Sequence, residues 1–369
     1  MSTIKVTNIE HGSTTDGGIQ LDSSGHVTID GQQLPTAGAL SNRNLIINGA
    51  MQVAQRGTSS SEFNSYGTVD RFRLKKVLMD NLAGTQQQST TAPTGFSNSF
   101  KIDITTAEST LAADEFFSVR HAVEAQNLQH LEYNTSEAKA VTLSFWVRSH
   151  VTGTYSVGLT NFDPNKNIAK TYSISSANTW EHKTVTFPGD TAGANPDNDN
   201  GTGFLFDWYL AAGSNFTSSD GSSWGAFAEN RRAYGHTANA VGTTGGFYIT
   251  GVQLEVGEKA TPFEHRSYAD ELAKCQRYFY KDDTTIEGSG TSTSQPGLDT
   301  IVGIQKDFPV TMRAVPTLSI LGTTYRAGAT SDAQRVTKDR FIWGRKKIGG
   351  STGNVEAYAT GGFEVTAEL

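Results

Sequence analysis

The sequence predicts a mainly β protein: a short N-terminal β anchor, a β-sandwich, one linking helix and a small C-terminal β domain. Three observations carry that prediction. Short runs of alternating apolar and polar residues recur along the chain, rich in Thr and aromatics. Clusters of Gly, Ser, Asn and Asp separate them at short intervals. Helical spacing of apolar residues is clear at one place, just after Ser267. Hydrophobic residues make up 36% and charged residues 18% of the 369, both below the average for globular chains. The 38 glycines have no three-residue period, which excludes a collagen-like chain.

Residues 1–40 read as the anchor. Ile19 and Leu21 precede a Ser-Ser-Gly turn and Val27 and Ile29 follow it, the pattern of a hairpin. The apolar content is too small to stabilise the segment alone, so it calls for copies of itself or a docking surface. "QQLPTAGALSN" then reads as a linker.

Residues 41–266 read as the sandwich. Candidate strands are Phe100–Thr105, Phe116–Glu124, Val141–Ser149, Tyr155–Leu159, Trp180–Phe187, Phe204–Leu210 and Phe247–Val256. In "VTLSFWVRS", Val141, Leu143, Phe145 and Val147 share one face, and Thr142, Ser144, Trp146 and Arg148 the other. Strict alternation in "FYITGVQLEV" puts Tyr248, Thr250, Val252, Leu254 and Val256 together, opposite Phe247, Ile249, Gly251, Gln253 and Glu255.

Residues 267–369 read as a helix followed by strands. Ser267 is a candidate N-cap with Asp270 at N3, and Tyr268, Leu272, Cys275 and Phe279 fall at helical spacing. "TTIEGSGTSTSQPG" reads as a loop. Strand character resumes in "IVGIQKDFPVTMRAVPTLSIL", with Pro309 and Pro316 at edges or turns, and again in "RFIWGRKK" and "EAYATGGFEVTAEL".

A net charge of -7 argues against a general nucleic-acid binder, which needs a basic footprint. The single cysteine, Cys275, permits no intrachain disulfide and fits folding in a reducing cytoplasm. No apolar run approaches the length of a membrane span, so membrane insertion is not expected. "MSTIKVTNIEHG" lacks the apolar block of a signal peptide.

Signals for catalysis are weak. There is no Gly-x-Ser-x-Gly elbow, and Cys275 reads as a packed thiol. The 8 histidines show no pair at zinc-ligand spacing. Asp163, Asn165 and Asn167 alternate as in a calcium loop, but Ile168 and Ile174 stand where Gly and Glu are needed. Asp197 and Asp199 likewise read as turn residues. Asp207, Glu255 and Glu264 are the conceivable carboxylates for glycan hydrolysis. Aromatic and basic residues give better binding candidates. Trp146 lies on the polar strand face and Trp224 in the Gly/Ser-rich loop "SDGSSWGAF"; flat indole faces stack on sugars. Trp343, Arg345 and Lys346 belong to a late basic group with Arg335, Lys338, Arg340 and Lys347, suited either to anionic glycan or lipid phosphate or to protecting a strand edge.

"NLIINGAMQVAQRGTS", "YGTVDRFRL", "LSFWVRS", "GVQLEVGEKATPFEHRSYADELAKCQRYF" and "FPVTMRAVPTLSI" occur in this order between Asn44 and Ile320. Together they resemble bacteriophage tail-fibre-like virion proteins of the marine and cyanobacterial phage type. The resemblance implies a jelly roll similar to carbohydrate-binding modules, in a homotrimeric virion appendage made in the host cytoplasm. It implies attachment to other tail or capsid proteins through the N-terminal segment and contact with host surface glycan or lipopolysaccharide by distal domains. Such jelly rolls often begin "N-G-x-F-E", with the acidic residue on a structural calcium; here Gln52 takes that place in "NGAMQ", so no cofactor is expected. The expected function is a non-enzymatic tail fibre that binds host glycan. The alternatives are a capsid-associated fibre or decoration protein without a receptor role, and a surface-polysaccharide depolymerase, although no internal repeat suggests the regular coils of a long β-helix.

Overall fold

The computed structural model describes residues 8–9, 19–21, 27–29, 32–33, 41–292, 300–327, 331–347 and 353–369. The chain divides into two compact units, Met1–Arg266 and Ser267–Leu369.

The first strands, β1 (Asn8–Ile9), β2 (Ile19–Leu21), β3 (Val27–Ile29) and β4 (Gln32–Gln33), form an antiparallel sheet in chain order. Ile19 stands opposite Ile29 and Leu21 opposite Val27, as the pattern around Ser-Ser-Gly predicts. β4 occupies the start of the stretch read as a linker; residues 34–40 of that stretch lie outside the described residues.

A jelly-roll sandwich follows. Its strands are β5 (Ser59–Ser60), β6 (Arg73–Val77), β7 (Ala83–Ser89), β8 (Ser99–Thr106), β9 (Phe116–Glu124), β10 (Val141–Ser149), β11 (Gly153–Asn161), β12 (Lys166–Ile174), β13 (Glu181–Phe187), β14 (Thr202–Ala212), β15 (Gly225–Ala226) and β16 (Gly245–Val256). One sheet runs β13-β10-β16-β8-β7-β5 and the other β15-β12-β11-β14-β9-β6. Between them Val141, Leu143, Phe145 and Val147 of β10 are fully buried, as are Phe204, Phe206, Trp208 and Leu210 of β14. The Trp208 ring meets Phe145 edge-on at 6.1 Å.

The alternation predicted for β16 is interrupted. Phe247 and Ile249 point into the core together with Val252, Leu254 and Val256. A bulge explains the change of parity: Ser144 pairs with Gln253, but Trp146 pairs with Thr250. One extra residue in β16 reverses which side chains face inward. Gly251 supplies it at φ +60°, and a Cβ there would come within 2.7 Å of the Phe96 ring.

Strands β6, β7 and β12 have little apolar alternation to announce them. Polar side chains pin them instead. Gln86 of β7 is fully buried; its amide accepts from the Gly67 N–H at 3.2 Å and donates to the Glu62 and Ser65 carbonyls. Lys166, at the start of β12, places its ammonium 2.7 Å from both carboxylate oxygens of Asp190.

The two ends of the sandwich close on each other. Asn44 Oδ1 accepts from the N–H groups of Ile46 and Leu254 at 2.9 and 3.0 Å, while its Nδ2 donates to the Val252 carbonyl. Glu264 accepts from the backbone N–H groups of Arg43 and Asn44. The side-chain oxygen of Gln253, on β16, accepts from the Glu264 N–H at 2.8 Å.

In the second unit, the helix Tyr268–Gln276 starts as predicted. Ser267 Oγ accepts from the Asp270 N–H at 3.2 Å and donates to its carboxylate at 2.6 Å. Cys275 is fully buried. Tyr268 is 57% exposed, so it does not belong to the helix's buried face. Phe279 opens β17 (Phe279–Asp282) rather than continuing the helix. The remaining strands are β18 (Ile286–Ser292), β19 (Thr300–Asp307), β20 (Thr317–Ile320), β21 (Thr324–Ala327), β22 (Ser331–Val336), β23 (Arg340–Lys347), β24 (Gly353–Ala359) and β25 (Phe363–Thr366). They form the sheets β17-β25-β20, β18-β24-β21 and β19-β23-β22 around Met312, Phe341, Trp343, Phe363 and Val365. β18 lies within the stretch read as a loop; residues 293–297 of that stretch lie outside the described residues.

Two substitutions test the closure and the bulge. Asn44→Ala leaves two buried N–H groups and a carbonyl without partners and is expected to lower unfolding free energy by about 2–3 kcal/mol. Gly251→Val forces a branched residue into the left-handed region against Phe96 and is expected to cost about 1–3 kcal/mol. Urea denaturation of each variant beside the parent measures both; an unchanged midpoint for Gly251→Val would mean the bulge relaxes without strain.

Candidate functional site

The outer face of the second sheet carries a pocket of about 550 Å³. β9 contributes Phe116 and Arg120, β14 Leu205, β11 Thr160, and β6 Lys75 and Val77. The segment after β14 folds back over these strands and adds Phe216, Phe227, Glu229 and Arg232. Phe162, in the turn between β11 and β12, stands at the pocket 48% exposed.

Gly158 permits this cover. A Cβ at Gly158 would lie 2.5 Å from the Arg232 carbonyl and 3.2 Å from the Tyr209 ring, so only a bare backbone lets the segment lie this close to β11. Beneath it, Phe116, Tyr209, Ala212, Phe216 and Ala233 form a small apolar cluster separate from the main core. Phe116 meets Phe216 edge-on at 4.8 Å and Tyr209 at 5.7 Å.

A charged cluster is set into this apolar ground. Asp207 of β14 is 2% exposed and stands directly across from Arg120 of β9. Its Oδ1 accepts from Arg120 Nε at 2.5 Å and from Ser118 Oγ at 2.7 Å, and its Oδ2 from Arg232 Nη2 at 3.3 Å. Arg232 Nη1 donates to Glu229 at 2.8 Å. Both guanidinium groups also lie over the Phe116 ring, Arg232 at 5.1 Å and Arg120 at 5.7 Å, within cation–π range. Burial alone would raise the Asp207 pKa, but Arg120, Arg232 and the Ser118 hydroxyl outweigh it and hold the carboxyl below its usual range. Burial lowers the Lys75 pKa, and the positive charges of Arg120, Arg73 and Arg232 lower it further.

The residues singled out from the sequence are dispersed. Trp146 is half-buried on the outer face of the first sheet, its ring 5.2 Å from His182 on β13. On the same face Tyr248 lies 6.0 Å from Trp180 and beneath the Arg148 guanidinium at 5.1 Å. Trp224 is not the exposed loop residue its surroundings suggested. It packs against the main core, meets Tyr133 edge-on at 6.0 Å and donates its Nε1–H to the Pro188 carbonyl at 2.7 Å. Trp343 is 2% exposed in the core of the second unit, which removes it as a contact residue. Arg345 and Lys346 lie on β23, a strand paired on both sides and so not a sheet edge; their side chains are outside the described residues.

Of the carboxylates, Asp207 forms the floor of the pocket's charged cluster, whereas Glu255 and Glu264 belong to the end of the other sheet. Glu255 accepts from the Thr261 N–H at 2.8 Å and the Thr261 hydroxyl at 2.6 Å. Asp163 and Asp197, from two separate turns, meet where the Asp197 N–H donates to Asp163 at 2.8 Å. Among the described residues no three His, Cys, Asp or Glu side chains are placed to hold a metal ion. No described helix is long and apolar enough to cross a membrane.

No family model matches the chain, and no curated protein matches it. Several solved structures are similar to part of it. The enzymatically active domain of tailspike protein 4 of bacteriophage CBA120 is 11% identical, with a TM-score of 0.30, over 58% of this chain and 21% of that one. A putative sugar binding protein from Bacteroides thetaiotaomicron is 12% identical, with a TM-score of 0.32, over 58% of this chain and 99% of its own. The C-terminal family 22 carbohydrate binding module of Clostridium thermocellum Xyn10B is 11% identical, with a TM-score of 0.29, over 61% of this chain and 98% of its own. The sandwich and its pocket stand on this chain's own strand pairing and side-chain geometry.

His236 gives the covering segment a pH dependence. It is buried against Tyr155 and Tyr209, and its Nδ1 accepts from the Ser156 N–H at 3.2 Å. Burial lowers its pKa from 6.5 to about 4. Above pH 6.5 both folded and unfolded states are neutral there. Between pH 6.5 and 4 the unfolded chain takes up a proton that the folded chain refuses, so stability falls as pH falls, by roughly 3 kcal/mol over the window. The Asp207 contribution lies lower: it is present above the carboxyl's unfolded value and is lost as pH falls through the depressed folded one. Denaturation of the parent and His236→Gln at pH 7.5 and 4.5 is expected to show a smaller acid loss in the variant; equal losses would place the proton uptake elsewhere.

Proposed function

We propose that this protein is a non-enzymatic saccharide-binding component of a phage tail appendage, and that the pocket on the second sheet is its binding site. The observation that carries the reading is the pocket's construction. It has the size of a small-ligand site, aromatic walls and a few fixed polar groups. Phe162 supports it further, because a phenyl ring nearly half exposed beside three other pocket phenylalanines offers an apolar face for the flat side of a pyranose. The five sequence blocks shared in order with tail-fibre-like virion proteins support the placement in a virion, the homotrimeric state and attachment through the N-terminal segment. In a trimer three weak sites would act together and make attachment avid.

The charge states support binding rather than hydrolysis. Asp207 and Glu264 both have carboxyl groups held below the usual range, Asp207 by Arg120, Arg232 and Ser118 against the effect of burial, Glu264 by the Asn44 N–H and Arg266 against the same effect. A glycosidase acid needs the opposite, a raised pKa.

Phe162→Ala is expected to weaken saccharide binding about tenfold, a loss of roughly 1.4 kcal/mol, with an unchanged melting temperature. Trp146→Ala, on the other sheet, is expected to leave it unchanged. A glycan array, followed by calorimetry on the best-bound oligosaccharide, provides the measurement. The reverse pattern would move the site to the Trp146 face, and release of reducing ends from the bound glycan would make the protein an enzyme.

A further inference from the structure

We infer that the saccharide bound in this pocket carries an acidic substituent, a carboxylate, sulfate or phosphate ester, and that Lys75 and Arg120 receive it. This rests on the saccharide reading of the same pocket and adds the chemical class of its ligand.

The donors decide the class. Arg120 uses Nε on Asp207, and its two terminal nitrogens take no hydrogen bond among the described residues. Lys75, on the neighbouring strand, makes no hydrogen bond or ion pair among them either. Its strand pairing sets it across from Ser118, and Arg73 across from Arg120, so cations crowd one end of the sheet face. Arg232 closes the opposite side with its Nε buried and unpartnered.

The charges do not cancel within the site. Lys75, Arg120 and Arg232 face Asp207 and Glu229, leaving one positive charge, in a chain whose net charge is -7. The excess is larger where a ligand would sit, because the Glu229 side chain is 55% exposed and screened by water, whereas those of Arg120 and Arg232 are 14% and 12% exposed. A neutral sugar would leave the Lys75 ammonium and the Arg120 guanidinium repelling each other. An anion would accept from both groups through charge-assisted bonds and relieve that repulsion. Phe162 and Phe227 would then meet the apolar face of the ring that bears it.

The full-length protein tests this on an array holding uronate-containing, sulfated, phosphorylated and neutral glycans, at low and physiological salt. Calorimetry with an oligogalacturonate and its methyl ester compares one skeleton with and without its charge. Acidic glycans are expected to dominate the hits, to weaken with salt, and to bind Lys75→Gln about tenfold more weakly. The choice of acidic group among the hits distinguishes carboxylate from sulfate and phosphate. Lys75 is used because it supports no buried partner, unlike Arg120, and the variant's melting temperature confirms that its fold is kept. Hits confined to neutral glycans, or acidic binding that Lys75→Gln leaves intact, would overturn the inference while the saccharide reading stands. An array with no hits of any kind would overturn both.

Discussion

Asp207 is the constraint on which the outer face of the second sheet depends. A carboxylate this buried is costly to hold charged unless it is paired and fully hydrogen-bonded. Here two guanidinium groups and a hydroxyl meet it. The partners come from two places in the chain: Arg120 and Ser118 from β9, Arg232 from the segment that returns over the sheet. One side chain on β14 therefore fixes a neighbouring strand and a distant segment at once. It also permits positive charge to accumulate, since Arg120 and Arg232 over the same phenyl ring would otherwise repel each other in poorly screened surroundings. The pocket is the space left between these commitments, floored by sheet and walled by the covering segment.

That arrangement needs a rigid support, and the sandwich supplies it by closing its two ends on each other. Residues 43–46 and 252–266 are separated by nearly the whole domain in sequence. They are joined through one asparagine that bonds three backbone groups and one glutamate that takes two backbone N–H groups. Fixing the last strand fixes its bulge. The bulge in turn sends Trp146, Thr250 and Tyr248 outward while Val252 and Leu254 enter the core. The two outer faces are thus set by different devices, a backbone irregularity on one and a buried ion cluster on the other.

The sandwich was largely legible in the sequence because burial leaves a period of two wherever one strand face meets the core. Val141–Ser149 and Phe116–Glu124 have the predicted bounds for that reason. The prediction failed where another rule overrides the period. Gly251 inserts a residue and reverses parity; Ala83–Ser89 is held by amide hydrogen bonds and shows no apolar face. The site was less legible still. Trp146 and Trp224 drew attention by residue type, yet Trp224 spends its one donor on Pro188. The pocket residues lie far apart in sequence, from Lys75 to Arg232, and gather only through strand order. One local signal did exist: the doublet Phe116-Phe117 must put an aromatic ring on each face of a strand, and only one of those faces is the core.

The contrast between the two outer faces bears on how such a protein would meet a surface. On the first sheet Trp146, His182, Tyr248 and Trp180 lie along an open face, where contact is broad and weakly oriented. On the second, a saccharide bound as proposed would enter a walled space whose donors already have fixed directions, because Asp207 holds Arg120 and Gly158 admits the segment carrying Arg232. Preorganised donors lose little freedom on binding, so the walled site can discriminate among sugars that an aromatic strip would treat alike. A receptor-binding appendage needs that discrimination at each site, since avidity multiplies whatever preference a single site has and creates none of its own.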